Sequence, residues 1–143
     1  MPYMNPAQVV TSRDNPLIKR IRQLVRDPGA YRKTGQVWLE GDHLASALLA
    51  RGLMPSVMVF CESKWPSAII DIDYSATKVV VVPDALMSEL SSLETPPFMG
   101  CLMDLPAAAT PGASEPSVVL DRVQDAGNVG SILRSAAAFG FRQ

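Results

Sequence analysis

Two carboxylates, an amide and a guanidinium stand close together near one end of this chain, at Asp121, Asp125, Asn128 and Arg134. The apolar run Val118-Val119-Leu120 leads into Asp121. A polar loop with Gly127, Asn128 and Gly130 follows, and a helix carrying Arg134 ends at Gly140. The pattern predicts a buried parallel strand, a site-forming loop and a helix. In open α/β sheets the loops after the carboxyl ends of strands are where ligands bind. Arg134, on a rigid helix, would aim a permanently charged, planar donor fork at such a ligand. Each residue has a plainer reading. Asn128 can cap the helix by accepting the amide of Ser131, with Gly127 and Gly130 allowing close backbone approach. Arg134 can be a solvent-facing helix former. The segment satisfies neither the dinucleotide fingerprint nor the phosphate loop ending in Gly-Lys-Ser/Thr.

The elements that must position these groups are legible upstream. Asn15-Pro16 opens an amphipathic helix through Leu17, Ile18, Ile21, Leu24 and Val25, with Asn15 as cap and Pro16 in the first turn. Lys19, Arg20, Arg22 and Arg26 fall around its other side, and Asp27-Pro28-Gly29 ends it. After a basic loop, Tyr31 to Gly35, come a strand at Val37–Glu40 and a helix from His43 to Arg51 closed by Gly52. A strand at Val57–Phe60, a short helical or irregular stretch from Trp65 to Ile70, a strand at Lys78–Val82, a helix from Pro83 to Leu90 and a strand near Gly100–Met103 complete the series. Continuous apolar strands separated by helices argue for an α/β domain with helices on both faces of a mainly parallel sheet. That domain covers residues 1–105. Residues 106–116, rich in Pro, Ala and small polar residues, read as a linker, and residues 117–143 form the strand-loop-helix unit.

Composition narrows the function classes. With 48% hydrophobic and 19% charged residues, the 143-residue chain can bury a core. The apolar runs, such as Val79 to Pro83, are far short of the roughly 20 residues of a membrane span. No secretory leader is read at the N-terminus, and the cytoplasm is the expected location. Cys61 and Cys101 lack the close spacing of metal or redox motifs and read as buried free thiols. His43 is the single histidine, which excludes a multi-histidine metal site, and no Gly-x-Ser-x-Gly elbow accompanies it. The net charge of −1 conceals an asymmetry: residues 1–51 hold eight Lys/Arg against four Asp/Glu, while residues 52–116 hold two against eight. A basic N-terminal third is the distribution of a face that meets a polyanion, or equally of a solvated face.

The terminal segment closely resembles the first motif of the SpoU (TrmH) family of RNA ribose 2′-O-methyltransferases, of the knotted SPOUT superfamily. Leu120, Asp121, Val123, Asp125, Asn128, Gly130, Arg134, Ala136, Phe139 and Gly140 match it, and Ala126 departs from it by replacing a proline. Thr11 to Lys19 and Trp38-Leu39-Glu40-Gly41 resemble the family's N-terminal RNA-recognition domain. The resemblance implies an L30e-like three-layer α/β/α domain at residues 1–105, followed by the first strand-loop-helix of an α/β-knot methyltransferase domain. It implies methyl transfer from S-adenosylmethionine to a ribose 2′-hydroxyl of rRNA or tRNA by in-line attack. Arg134 would activate the hydroxyl and Asn128 would shape the site. Arg13, Lys19, Arg20, Arg22, Arg32 and Lys33 are the expected RNA-binding residues.

The family's second and third motifs, its knot and most of its cofactor pocket lie beyond the position of Gly140. The resemblance therefore implies no cofactor-binding residue within these 143 residues, no transfer by them alone, and dimerisation mainly through the knot. Ile132, Leu133, Phe139 and Phe141 would then lack part of their packing. No metal is expected. The alternative is a non-catalytic L30e-type RNA-binding module using the same cations on phosphates, with a small-molecule α/β enzyme behind both. A pure binding module has no need of Asn128 and Arg134 at this spacing.

Overall fold

In the computed structural model, residues 7–65 and 77–143 are described. They divide into two compact units, Met1–Pro106 and Ala107–Gln143. In the first unit the elements run β1 (Gln8–Val9), α1 (Pro16–Arg26), α2 (Tyr31–Thr34), β2 (Gln36–Glu40), α3 (Asp42–Leu49), β3 (Val57–Cys61), β4 (Lys78–Val82), α4 (Asp84–Glu89) and β5 (Met99–Asp104). The second unit contains α5 (Ala126–Ala138). The expected stretch after Trp65 lies outside the described residues.

The five strands form one mixed sheet in the order β1-β4-β3-β5-β2. Side chains alternate across each strand, so every strand feeds both faces. Val59, Cys61, Val80, Val82 and Leu102 meet Ile18 and Ile21 of α1 and Leu86 and Met87 of α4 on one face. Met58, Phe60, Val79 and Cys101 meet Ala45 of α3 on the other. Helices therefore cover both faces, and the central strands are apolar on both sides for that reason. Ile18 and Ile21 are wholly buried, each stabilising the fold by about 1.5–3 kcal/mol.

α1 begins as its sequence requires: the Asn15 side chain accepts the amide of Leu17 at 2.9 Å, and Pro16 occupies the first turn, where no amide is needed. The basic segment after it is not an open loop. Residues Tyr31–Thr34 form a single helical turn, and Gly35 closes it at φ +66.

The expected mainly parallel sheet is corrected at β5. The pairs β1–β4 and β3–β4 are parallel, but β5 runs antiparallel to both β3 and β2. The cause is Ser91–Phe98. A parallel crossover would start β5 beside the amino ends of its neighbours. These residues instead bring the chain to the carboxyl ends, where Cys61 N donates to Phe98 O (2.8 Å) and Gly41 N to Met99 O (3.0 Å). Glu40, at the carboxyl end of β2, holds this return. Its carboxylate accepts Ser91 Oγ at 2.5 Å, and Ser92 Oγ and N at 3.0 and 3.1 Å. Trp38 lies diagonally across β5, donating Nε1–H to Leu90 O at 2.8 Å. Gly100 makes room for it, since a Cβ there would overlap the indole ring.

Candidate functional site

In the second unit, Val118–Leu120 is not the expected buried strand. These residues pair in no sheet, and Val119 is 86% exposed. A strand persists only where a neighbour takes up its amides and carbonyls. Within this unit the segment finds one such bond, Val118 N to Gln143 O at 2.8 Å. Gln143 also holds the preceding segment, exchanging side-chain hydrogen bonds with Gly112 N (2.7 Å) and Gly112 O (2.8 Å).

α5 starts earlier than its motif reads. Asp125, not Asn128, is the cap, its Oδ1 accepting Asn128 N at 2.7 Å. A carboxylate both accepts a first-turn amide and complements the positive end of the helix dipole. Asn128, Gly127 and Gly130 thus lie inside the helix, with the Asn128 side chain exposed. Ala126 takes the first helical position, which proline also favours, so the departure from the family motif preserves the helix start. Before the cap, Arg122 has φ +52, a left-handed conformation unfavourable by about 1–2 kcal/mol for a residue with a Cβ. Its Nε lies 3.3 Å from Asp121 Oδ1.

Helical side chains lean toward the N-terminus, and Arg134 does so. Its Nη2 donates to Ser131 Oγ at 3.3 Å, and Nη1 passes over the bare backbone of Gly130. Ser131 in turn donates to Gly127 O at 2.9 Å. Asn128 and Arg134, six residues apart, are about 120° apart around the axis. They share the exposed part of α5 and make no mutual hydrogen bond. Ser131 is a positioning contact that the motif did not single out, although its spacing three residues before Arg134 signals it.

A groove of about 370 Å³ runs along α5, lined by Val118, Ser131, Ile132, Ser135, Ala136, Phe139 and Phe141. Phe139 is 82% exposed, as expected of the apolar stripe, and Leu133 and Phe141 are also exposed.

The expected RNA-binding cations of the first unit have different surroundings. Arg13 pairs with Glu89 of α4, and Arg22, with only a quarter of its side chain exposed, lies 3.9 Å from the same carboxylate. Lys19 pairs with the exposed Asp14 at 2.9 Å, which holds the Asp14 carboxyl below its ordinary range. Arg20 donates to Gln36 Oε1 at 3.1 Å. Arg32, beside exposed Lys33 on α2, donates to Tyr31 Oη at 3.2 Å. Lys19, Arg22, Gln23 and Arg26 line one hollow of about 260 Å³. Gln23 and Arg26 are its members outside the expected set, although the spacing of Arg26 from Lys19 and Arg22 was visible in the sequence. Among the described residues, no group of three or more His, Cys, Asp or Glu is placed to hold a metal ion, and no helix is long and apolar enough to cross a membrane.

A mixed sheet covered by helices, followed by a capped helix bearing an Asn and an Arg, is an architecture this chain shares with methyltransferases of SpoU/TrmH type. It belongs to the MRM3-like substrate binding domain family, matched over residues 15–99. It is 31% identical to an uncharacterized tRNA/rRNA methyltransferase of Synechocystis over 97% of its own length and 52% of that protein's. It is 30% identical to the 23S rRNA (guanosine(2553)-2′-O)-methyltransferase RlmP of Bacillus subtilis, covering 76% of this chain and 42% of that one. Among solved structures, an AdoMet-bound rRNA methyltransferase from Sinorhizobium meliloti superposes with TM-score 0.68 at 26% identity, covering 94% of this chain and 52% of that one. A protein described as a TrmH-family RNA methyltransferase from Porphyromonas gingivalis does so at 0.69 and 28%, covering 90% and 50%. The chain spans about half the length of these relatives.

Proposed function

We propose that the complete protein methylates a ribose 2′-hydroxyl of rRNA or tRNA, with S-adenosylmethionine as methyl donor. In this reading residues 1–105 recognise the RNA, and Asn128 and Arg134 belong to the catalytic machinery. What supports it most directly is one juxtaposition: a substrate-binding domain matched over residues 15–99 is followed in the same chain by Asp125-capped α5, with Arg134 held back toward the N-terminus of that helix.

The groove along α5 does not by itself fit the methyl donor. It offers two serine hydroxyls and hydrocarbon, with no carboxylate or cation lining it to pair with the amino and carboxyl groups of a methionine tail. In this reading the residues that hold the cofactor in the complete enzyme are others than those lining this groove, and Arg134 and Asn128 contribute to the chemistry. A guanidinium stays protonated near neutral pH and is a poor proton acceptor. Arg134 would act by donating hydrogen bonds to the hydroxyl oxygen, stabilising the negative charge that develops there and lowering the hydroxyl's pKa. The hydroxyl proton would leave to solvent or a backbone phosphate oxygen. The positive end of α5 adds to that field. Asn128, exposed in the first turn, would position the ribose with a neutral amide.

The test is methyl transfer by the complete enzyme from labelled S-adenosylmethionine to rRNA and tRNA, followed by alkaline hydrolysis. A 2′-O-methyl group leaves an alkali-resistant dinucleotide, and label on a base would refute the ribose reading. Arg134→Ala is expected to lower kcat about 10²–10³-fold. Near-full activity in Arg134→Lys would remove the need for a planar fork.

A further inference from the structure

We propose that the outer stripe of α1, made of Lys19, Arg22, Gln23 and Arg26, is a phosphodiester-binding surface that grips an RNA strand by its backbone without reading its bases. The proposal rests on the RNA reading above and assigns part of it to particular side chains. These residues recur at i, i+3, i+4 and i+7, so they stack along one flank of the helix, with Arg22 next to the buried arc of Ile18 and Ile21 and Lys19, Gln23 and Arg26 farther out. α1 contains no acidic residue. The four side chains line one hollow of about 260 Å³. Lys19 and Arg26 lie about 10 Å apart along the axis, a span that meets more than one phosphate.

Arg22 carries the argument furthest. It is largely buried, its approach to Glu89 at 3.9 Å is too long for a hydrogen bond, and its Nε is buried with no hydrogen-bond partner among the described residues. A guanidinium desolvated to this degree and incompletely compensated attracts an anion into the hollow. Gln23 adds a neutral amide donor of the kind that serves phosphate oxygens. The Lys19 pair with Asp14 is solvent-exposed and contributes little, so it gives way to a phosphate. Arg26 in the last turn also complements the helix dipole, but that role does not require its alignment with Lys19 and Arg22. Arg13 is engaged by Glu89, and Arg20 is turned to the other flank, toward Gln36. The stripe has no aromatic ring on which a base could stack, so it fits phosphate and not nucleobase.

The test is fluorescence anisotropy of the 143-residue chain with labelled oligouridine and oligoadenosine, each about 20 nucleotides long, between about 50 and 250 mM salt. Lys19→Ala and Arg26→Ala are each expected to weaken binding roughly threefold to tenfold on both oligomers. Each should also reduce the slope of log K against log salt by about 0.7. Arg51→Ala, which removes an exposed cation elsewhere, should leave the slope unchanged. Binding by the unaltered chain with slopes indifferent to Lys19 and Arg26, or equally sensitive to Arg51, overturns the stripe and leaves the RNA reading standing. Failure of the unaltered chain to bind either oligomer overturns both.

Discussion

The Arg134 side chain is oriented by Ser131, whose Oγ takes one arm of its fork. Ser131→Ala in the complete enzyme should lower kcat about threefold to tenfold, less than loss of the guanidinium itself, because it removes one orienting hydrogen bond of about 1 kcal/mol. Steady-state kinetics on a methylatable RNA separates that outcome from an unchanged kcat, which would leave Ser131 with no positioning role. Cys101 makes a different prediction. It is fully buried between Leu39 and Met58, and burial pushes its thiol from 9.0 up to about 11. A raised thiol pKa leaves stability untouched below pH 9. As pH rises from 9 toward 11, the unfolded chain ionises first and stability falls. Urea titrations across that window should show a decline that Cys101→Ala reduces, and a thiol reagent at neutral pH should label this residue only on unfolding.

Caps and reversals decide the elements. Asn15 and Asp125 each satisfy a first-turn amide, so Asn15→Ala and Asp125→Ala should each cost their helix about 1 kcal/mol. The Asn15 cap was legible because Asn-Pro before an apolar stripe is a local signal. The Asp125 cap was not, because Asn128 is an equally good capping residue three positions on, and only the path of the backbone from Arg122 chooses between them. Glu40 has a longer reach, tying β2 to the return segment that sets the direction of β5. Glu40→Ala leaves the part-buried Ser91 hydroxyl without its acceptor, while the exposed Ser92 groups turn to water, and should destabilise the domain by about 1 kcal/mol, measured by chemical denaturation. Gly100→Ala should be worse than that, since the added methyl meets the Trp38 ring and β5 is held between two strands.

At the scale of the molecule, both buried clusters belong to Met1–Pro106, and no residue of α5 is buried. A chain ending at Pro106 should therefore keep a cooperative thermal transition and an α/β circular-dichroism spectrum. A non-cooperative transition in that piece would mean that the core depends on residues after Pro106. The charge asymmetry of the sequence survives folding in redistributed form. Arg13 and Arg22 meet Glu89, while Lys19 and Arg26 stay on the outer side of α1.

Signals carried by a few neighbouring residues were legible in the sequence. The Asn15-Pro16 start of α1, the apolar runs of β3 and β4, and the Asn128–Gly130–Arg134 spacing each depend on contacts within one or two turns or along one strand. The direction of β5, the sharing of Glu89 by Arg13 and Arg22, and the failure of Val118–Leu120 to form a strand depended on partners dozens of residues away or on a neighbouring strand. A strand buried on both faces has the same apolar composition whichever way it runs, and an arginine on a helix reads the same whether it meets a carboxylate or solvent. Only tertiary structure brings the deciding partner alongside, which is why the sequence by itself determined the family and most of the helices and buried strands, and the fold decided strand direction, the short elements at Gln8–Val9 and Tyr31–Thr34, and which cations remain available to a ligand.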